Sequence, residues 1–162
     1  MKMETLQDLF LDVIKDTYDA EQQITKALPK MVKAANNADL KAGFDEHLTQ
    51  TENHVKRLEQ VFQALGEKPT RKTCKGMKGL LEEGAELIKE DAEPDVLDAG
   101  LIAAAQKVEH YEISAYGTLI AYANSLGRKD VINLFQQTLQ EEKAADQKLT
   151  QLAEGEVNVQ AA

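Results

Sequence analysis

The chain has 162 residues, enough for one domain with a sizeable core. Hydrophobic residues make up 43% and charged residues 29%, tryptophan is absent, and strong helix formers dominate, so an all-α fold is expected. A net charge of −9 argues against nucleic acid as a direct partner, and no apolar run approaches the ~20 residues of a membrane span.

In chain order, the first helical pattern runs from about Leu6 to Ala35, with Leu6, Phe10, Val13, Thr17, Ile24, Leu28 and Met31 as its apolar stripe. Pro29 lies inside it and predicts a kink or local irregularity. The stretch Asn36 to Asp39 is a turn, with Asp39 the expected cap of a second helix ending near Leu65. That helix carries a seam of Phe44, Leu48, Thr51, Val55, Leu58, Phe62 and Leu65, and Gly66 closes it. A third major helix spans about Pro94 to Leu126 and stops at Gly127. A fourth, capped by Asp130, spans about Val131 to Ala153. Residues 1–155 are read as one bundle domain and 156–162 as a disordered tail, because GEVNVQAA carries no pattern.

Loop lengths set the topology. Short turns join the first helix to the second and the third to the fourth, so each pair is an antiparallel hairpin. Between Gly66 and Pro94 lies a connection much longer than helix hairpins use, part of which (GMKGLLEEGAELIKE) can form a short helix. Two antiparallel hairpins joined by one long crossover make a ferritin-like four-helix bundle. Cys74, in the crossover, has no second cysteine to pair with, and no signal-peptide pattern opens the chain, so a cytoplasmic setting is expected. Its segment TCKGMKG is rich in lysine and glycine, a setting that lowers a thiol's pKa; the simpler reading is a thiol without a role.

The segment KVEHYEISAYGTL (Lys107 to Leu119) puts Glu109 and Glu112 where a helix should bury apolar groups. Unpaired buried carboxylates are very costly, and several at one depth need a cation. Counting outward from each turn finds such a depth. Glu112, sixteen residues before Arg128, meets the fourth helix near Ala144, bracketed by Glu142 and Asp146, with Glu109 one turn away. In the first hairpin Glu21 points to Thr51, near which stand His47, Glu52 and His54. The candidate metal ligands are therefore Glu21, His47, Glu52, His54, Glu109, Glu112, Glu142 and Asp146. The two-metal template takes a Glu from each of two helices and Glu-x-x-His from each of the other two. Here Val55 and Ala145 stand where histidines would follow Glu52 and Glu142, and Thr51 stands where a Glu would precede His54. Such an oxygen-rich set suits two iron or manganese ions, with calcium or magnesium as alternatives. Taken singly, each Glu reads as a rim residue, His54 and His110 as surface or hydrogen-bonded groups, and the four tyrosines as core fillers.

Four stretches, YDAEQQITKALPKM (from Tyr18), EHLTQTENHVKRLEQVF (from Glu46), AAAQKVEHYEISAYGTL (from Ala103) and TLQEEKAADQKL (from Thr138), together resemble the YciE/YciF group of ferritin-like bacterial proteins. The likeness runs from about Leu6 to Ala153. It implies a ferritin-like bundle, a homodimer, a rubrerythrin-like dinuclear metal site and a cytoplasmic stress-linked role, with no established reaction. Three functions compete: a di-metal redox protein acting on oxygen or peroxide, a scaffold whose polar layer fixes bundle register, and iron storage.

Overall fold

A computed structural model describes residues 2–162. Helix α1 (Leu6–Ala34) opens with a reciprocal cap in which the Thr5 hydroxyl accepts from the Asp8 amide while the Asp8 carboxylate accepts from the Thr5 amide. It runs unbroken through Pro29. Helix α2 (Ala38–Ala64) is capped by Asn37, whose side-chain oxygen accepts from the amides of Asp39 and Leu40. Asp39, the expected cap, lies instead within the first turn. The same correction applies to α5 (Lys129–Leu152): Asp130 is inside its first turn and pairs with Arg128 at 2.7 Å. Helix α4 (Pro94–Ser125) starts on Pro94, where a missing amide costs nothing. Gly66 and Gly127 end α2 and α4 with φ of 72° and 68°, a backbone region that disfavours side chains.

The chain end departs from the expected disordered tail. A π-helical turn (Ala153–Val157) and a short α6 (Asn158–Ala161) extend α5. Val157 is buried in the core, and Asn37 donates to Glu156 at 3.0 Å. The wider turn breaks the 3.6-residue spacing, which is why no periodic pattern marks this segment.

Two apolar clusters divide the interior. One gathers Phe10, Ile14 and Tyr18 from α1, Leu58 and Phe62 from α2, Tyr116 and Leu119 from α4, and Val131 and Phe135 from α5. The other gathers Ile24 and Leu28, Leu40 and Phe44, Leu101 and Val108, and Leu149 from the same four helices. The order of clusters along the chain gives the topology. Helices α1 and α5 run from the first cluster to the second, and α2 and α4 run the opposite way. The end of α2 and the start of α4 therefore lie at opposite ends of the bundle, and the segment between them must cross its length.

The crossing is pinned to α1. Lys72 donates its amide to the Lys15 carbonyl, and buried Asp19 accepts from the Arg71 side chain and the Cys74 amide, each at 2.8 Å. The short helix α3 (Lys75–Lys89) then packs against α4 and α1. Buried Asp98 locks the opposite hairpin turn by accepting from the amides of Asn36 and Asn37 at 2.8 and 2.7 Å. Cys74 is fully buried; burial pushes its thiol up, opposite to what its lysine-rich neighbourhood suggests. No helix among the described residues is long and apolar enough to cross a membrane.

Candidate metal centre

The boundary between the two apolar clusters falls at one depth on every long helix: residues 19–21 on α1, 47–54 on α2, 109–112 on α4 and 142 on α5. Besides Asp19 and Thr51, whose bonds are made elsewhere, six buried polar side chains fill that slab, namely Glu21, His47, His54, Glu109, Glu112 and Glu142, none more than 8% exposed. Their ligand atoms fall into two groups, Glu21–His54–Glu112–Glu142 and His47–Glu109–Glu142, the atoms of each lying within 4.8 Å of one another. Glu142 belongs to both.

Close approach is not matched by hydrogen bonding. His47 Nε2 lies 2.9 Å from a Glu109 oxygen, and His54 Nδ1 lies 2.9 Å from a Glu142 oxygen and 3.4 Å from Glu21. Yet both nitrogens lack a partner in hydrogen-bond geometry. Among the described residues nine buried side-chain atoms are left unpartnered, and eight belong to these six residues. Native interiors leave few such atoms, since each costs about 1–3 kcal/mol. Lone pairs that converge without pairing to each other face a common centre, as ligands do.

Electrostatics agree with the geometry. Burial, followed by the neighbouring Glu142, pushes the Glu109 and Glu112 carboxyls well above the usual range. Burial acts in the same sense on Glu142, but the neutral acids Glu112 and Glu109, together with His54, hold it below that range. Burial would lower the His54 imidazole, yet the Glu21 and Glu142 carboxylates outweigh it and push it up to about 11. Without a cation, the layer keeps its acids buried by binding protons.

A second ring of contacts fixes the first. His54 Nε2 lies 2.7 Å from Glu141, which Arg57 grips with two bonds of 2.6 and 2.8 Å. The carboxylate sets the ring so that Nδ1 faces inward. The buried Tyr116 hydroxyl donates to Glu21 at 2.5 Å. Arg57 and Glu141 are absent from the sequence reading, and Tyr116 enters it only as one of the four tyrosines read as core fillers. One signal does mark Tyr116, since it lies four residues after Glu112 on the same face of α4. Tyr18 instead donates to Glu59, and Tyr111 lies between Cys74 and Asp16 at 3.0 and 3.1 Å.

Two predicted ligands fall outside the groups. Glu52 is exposed, because the buried face of α2 runs through His47, Thr51, His54 and Leu58, and Glu52 sits about 200° around the helix from His54. Asp146 is half-buried and pairs with exposed His110 at 3.2 Å. Its Oδ1 is the ninth unpartnered atom. Thr51, where the template has a Glu, is spent on the His47 carbonyl at 2.7 Å.

A bundle of four long helices in two hairpins with a lengthwise crossover and a carboxylate–histidine layer is a ferritin-like protein with a candidate metal centre. A family model described as a domain of unknown function, DUF892, matches residues 5–162, and the chain belongs to that family. It is 46% identical over 162 residues to Protein YciF of Escherichia coli (strain K12), covering 99% of this chain and 98% of that one. The crystal structure of the E. coli stress protein YciF matches with a TM-score of 0.92 over 96% of this chain and 99% of its own, at 46% identity. A structure of YcfI from Rhodopseudomonas palustris matches at 0.91, with 49% identity and coverage of 92% and 95%. A protein of Xanthomonas campestris pv. campestris shares the fold at 0.74, with 16% identity and coverage of 93% and 92%. The family resemblance read from the four sequence stretches is thus established.

Proposed function

We propose that the chain is a stress-response protein that holds two iron or manganese ions in the polar layer and uses them in redox chemistry on oxygen or peroxide. Glu21, His54 and Glu112 would hold one ion, His47 and Glu109 the other, and Glu142 both. The observation that carries this reading is the convergence of eight unpartnered buried atoms on two centres that share one carboxylate. The donor set fits: four carboxylates and two imidazoles supply the roughly six protein ligands of bundle-core sites, in an oxygen-rich mix that iron and manganese accept. Bound there, two such ions would supply the electrons for reduction of a small oxidant.

The protein's own part is positional. Glu141 holds His54 in one orientation and accepts its Nε2 proton, leaving Nδ1 for the ion. Tyr116 orients Glu21, and burial keeps its hydroxyl protonated and donating. The apolar clusters on both sides keep bulk water from the layer. The similarity to a protein titled a stress protein supports the physiological setting. Elemental analysis of the purified protein, joined to peroxide consumption by the iron- and manganese-loaded forms, tests the reading. Two ions per chain and turnover faster than free metal are expected. Protein without stoichiometric metal would leave the layer as a device for bundle register.

A further inference from the structure

A cavity of about 120 Å³ reaches the polar layer from the Leu28–Leu149 side of the bundle. Its walls are apolar, drawn from Leu28, Met31, Phe44, Val108 and Leu149. Its outer rim is charged, and there Lys148 pairs with Glu46 at 2.7 Å, joining α5 to α2 across the mouth. Its inner end is formed by His47 and Glu109, each with a buried atom that lacks a hydrogen-bond partner.

The geometry points to a binding site for a small neutral apolar molecule, a ring or chain of about five or six carbons, whose inner end meets His47 and Glu109. Size sets the class: an apolar cavity of ~150 Å³ accepts benzene, and a space so lined stays dry and favours hydrocarbon over water. Apart from Gln50, the polar lining is confined to the exposed rim (Asp39, Glu46 and Lys148) and to the inner end, so an ion or charged group finds few partners along the walls. The two ligand groups are unequal: the His47 group has three residues and the Glu21 group has four. The ion held by fewer protein donors is the one with room for a further ligand, and the cavity ends at that group. This role as a substrate pocket rests on the two-metal reading; the binding site itself does not.

The chain carries reporters. Met31 lines the cavity, while Met77 is buried in the core and does not line it. In protein labelled with ¹³C at the methionine methyls, benzene or cyclopentane is expected to shift Met31 and leave Met77 unmoved. Ala145→Phe fills the cavity from α5 and Ala27→Leu fills it from α1; each that folds should weaken the Met31 response roughly tenfold or more. No Met31 shift with either probe overturns the site, and so does a shift that survives both substitutions. A sizing column that shows a dimer dissolved by Ala145→Phe, with no probe binding, assigns the groove to a second copy and also overturns it. Loading with Mn²⁺, checked by elemental analysis, separates the two proposals. Faster relaxation of bound benzene protons places the ligand beside the ion. A Met31 shift without it, in protein shown to hold Mn²⁺, refutes the placement at His47 and Glu109. Failure to load Mn²⁺ counts against the metal reading alone, and the Met31 shift still decides the site.

Discussion

Replacing Glu112 by leucine should change stability in opposite directions with and without metal. The side chain is 1% exposed, and both carboxylate oxygens lack partners. Burial keeps this carboxyl protonated well above the usual range, so in the metal-free protein it is a neutral acid whose partner, through that proton, is the neighbouring Glu142 carboxylate. Leucine has a similar volume and no polar atom to strand, and such exchanges of buried polar groups run from neutral to about 1–4 kcal/mol stabilising. Taking ~2 kcal/mol, the melting temperature of a chain this size should rise by roughly 4–8 °C. The wild type, in turn, gains ~2.7 kcal/mol for each ion present at a hundred times its Kd, and the variant forfeits that gain at the Glu21–His54–Glu142 group. With EDTA, then, Glu112→Leu melts above the wild type; in excess Mn²⁺ or Fe²⁺ the order inverts. Parallel calorimetric melts check this. A variant that is more stable by the same margin under both conditions would refute the metal argument and leave the polar layer a determinant of register.

Three further outcomes are expected. Glu141→Gln removes the charge that orients His54, so metal affinity should fall about 10–100-fold with the fold intact, as read by competition with a chelator. Glu52→Gln should leave metal stoichiometry unchanged and stability within about 0.5 kcal/mol, and loss of an ion would mean that α2 is rotated from the arrangement described. Asp19→Asn should cost about 1–3 kcal/mol at neutral pH in urea unfolding, by loosening the crossover. Burial works to raise the Asp19 carboxyl, but the Cys74 amide, Gln23 and Arg71 outweigh it and hold it below the ordinary aspartate value. Its stabilisation is therefore present above that value and lost as pH falls through the depressed one, so the gap between wild type and variant should close in acid. A gap independent of pH would remove the ion pair from the account.

The arrangement of helices follows from features visible in one dimension. Short turns at Asn36 and Arg128 and a long gap after Gly66 leave few ways to join four amphipathic rods. Depth is equally legible, since residues counted from each turn meet at the same level, and this alone brings Glu21, Glu109, Glu112 and Glu142 together. Rotation about each helix axis is not. On α2 the apolar pattern suggests Leu48 and Val55 as seam residues, but they are only partly buried, and His47 and His54 take the inner face. Each residue turns a helix by about 100°, so a phase error of two residues is enough to exchange the His54 imidazole for Glu52. Hydrophobicity misleads there because the layer is polar by construction, so the apolar stripe is interrupted where its phase matters most. The caps fail for a related reason: Asp39 and Asp130 suit the first turn as well as the cap, and only backbone geometry separates the two.

The departures from the two-metal template are connected. A histidine three residues after Glu142 would stand at position 145, but the chain has alanine there, and Ala145 lines the apolar cavity beside His47 and Glu109. A glutamate three residues before His54 would stand at position 51, but the chain has threonine, bonded back to the His47 carbonyl. His47, seven residues before His54, supplies the second imidazole from the same face of α2, two helical turns away. Moving that ligand from α5 to α2 keeps two histidines in the layer and vacates the α5 side. The vacated volume is where the apolar walls converge. A Glu-x-x-His pattern on α5 would have closed this space with an imidazole; the exchange of ligands between helices leaves it open at the group that has fewer protein donors.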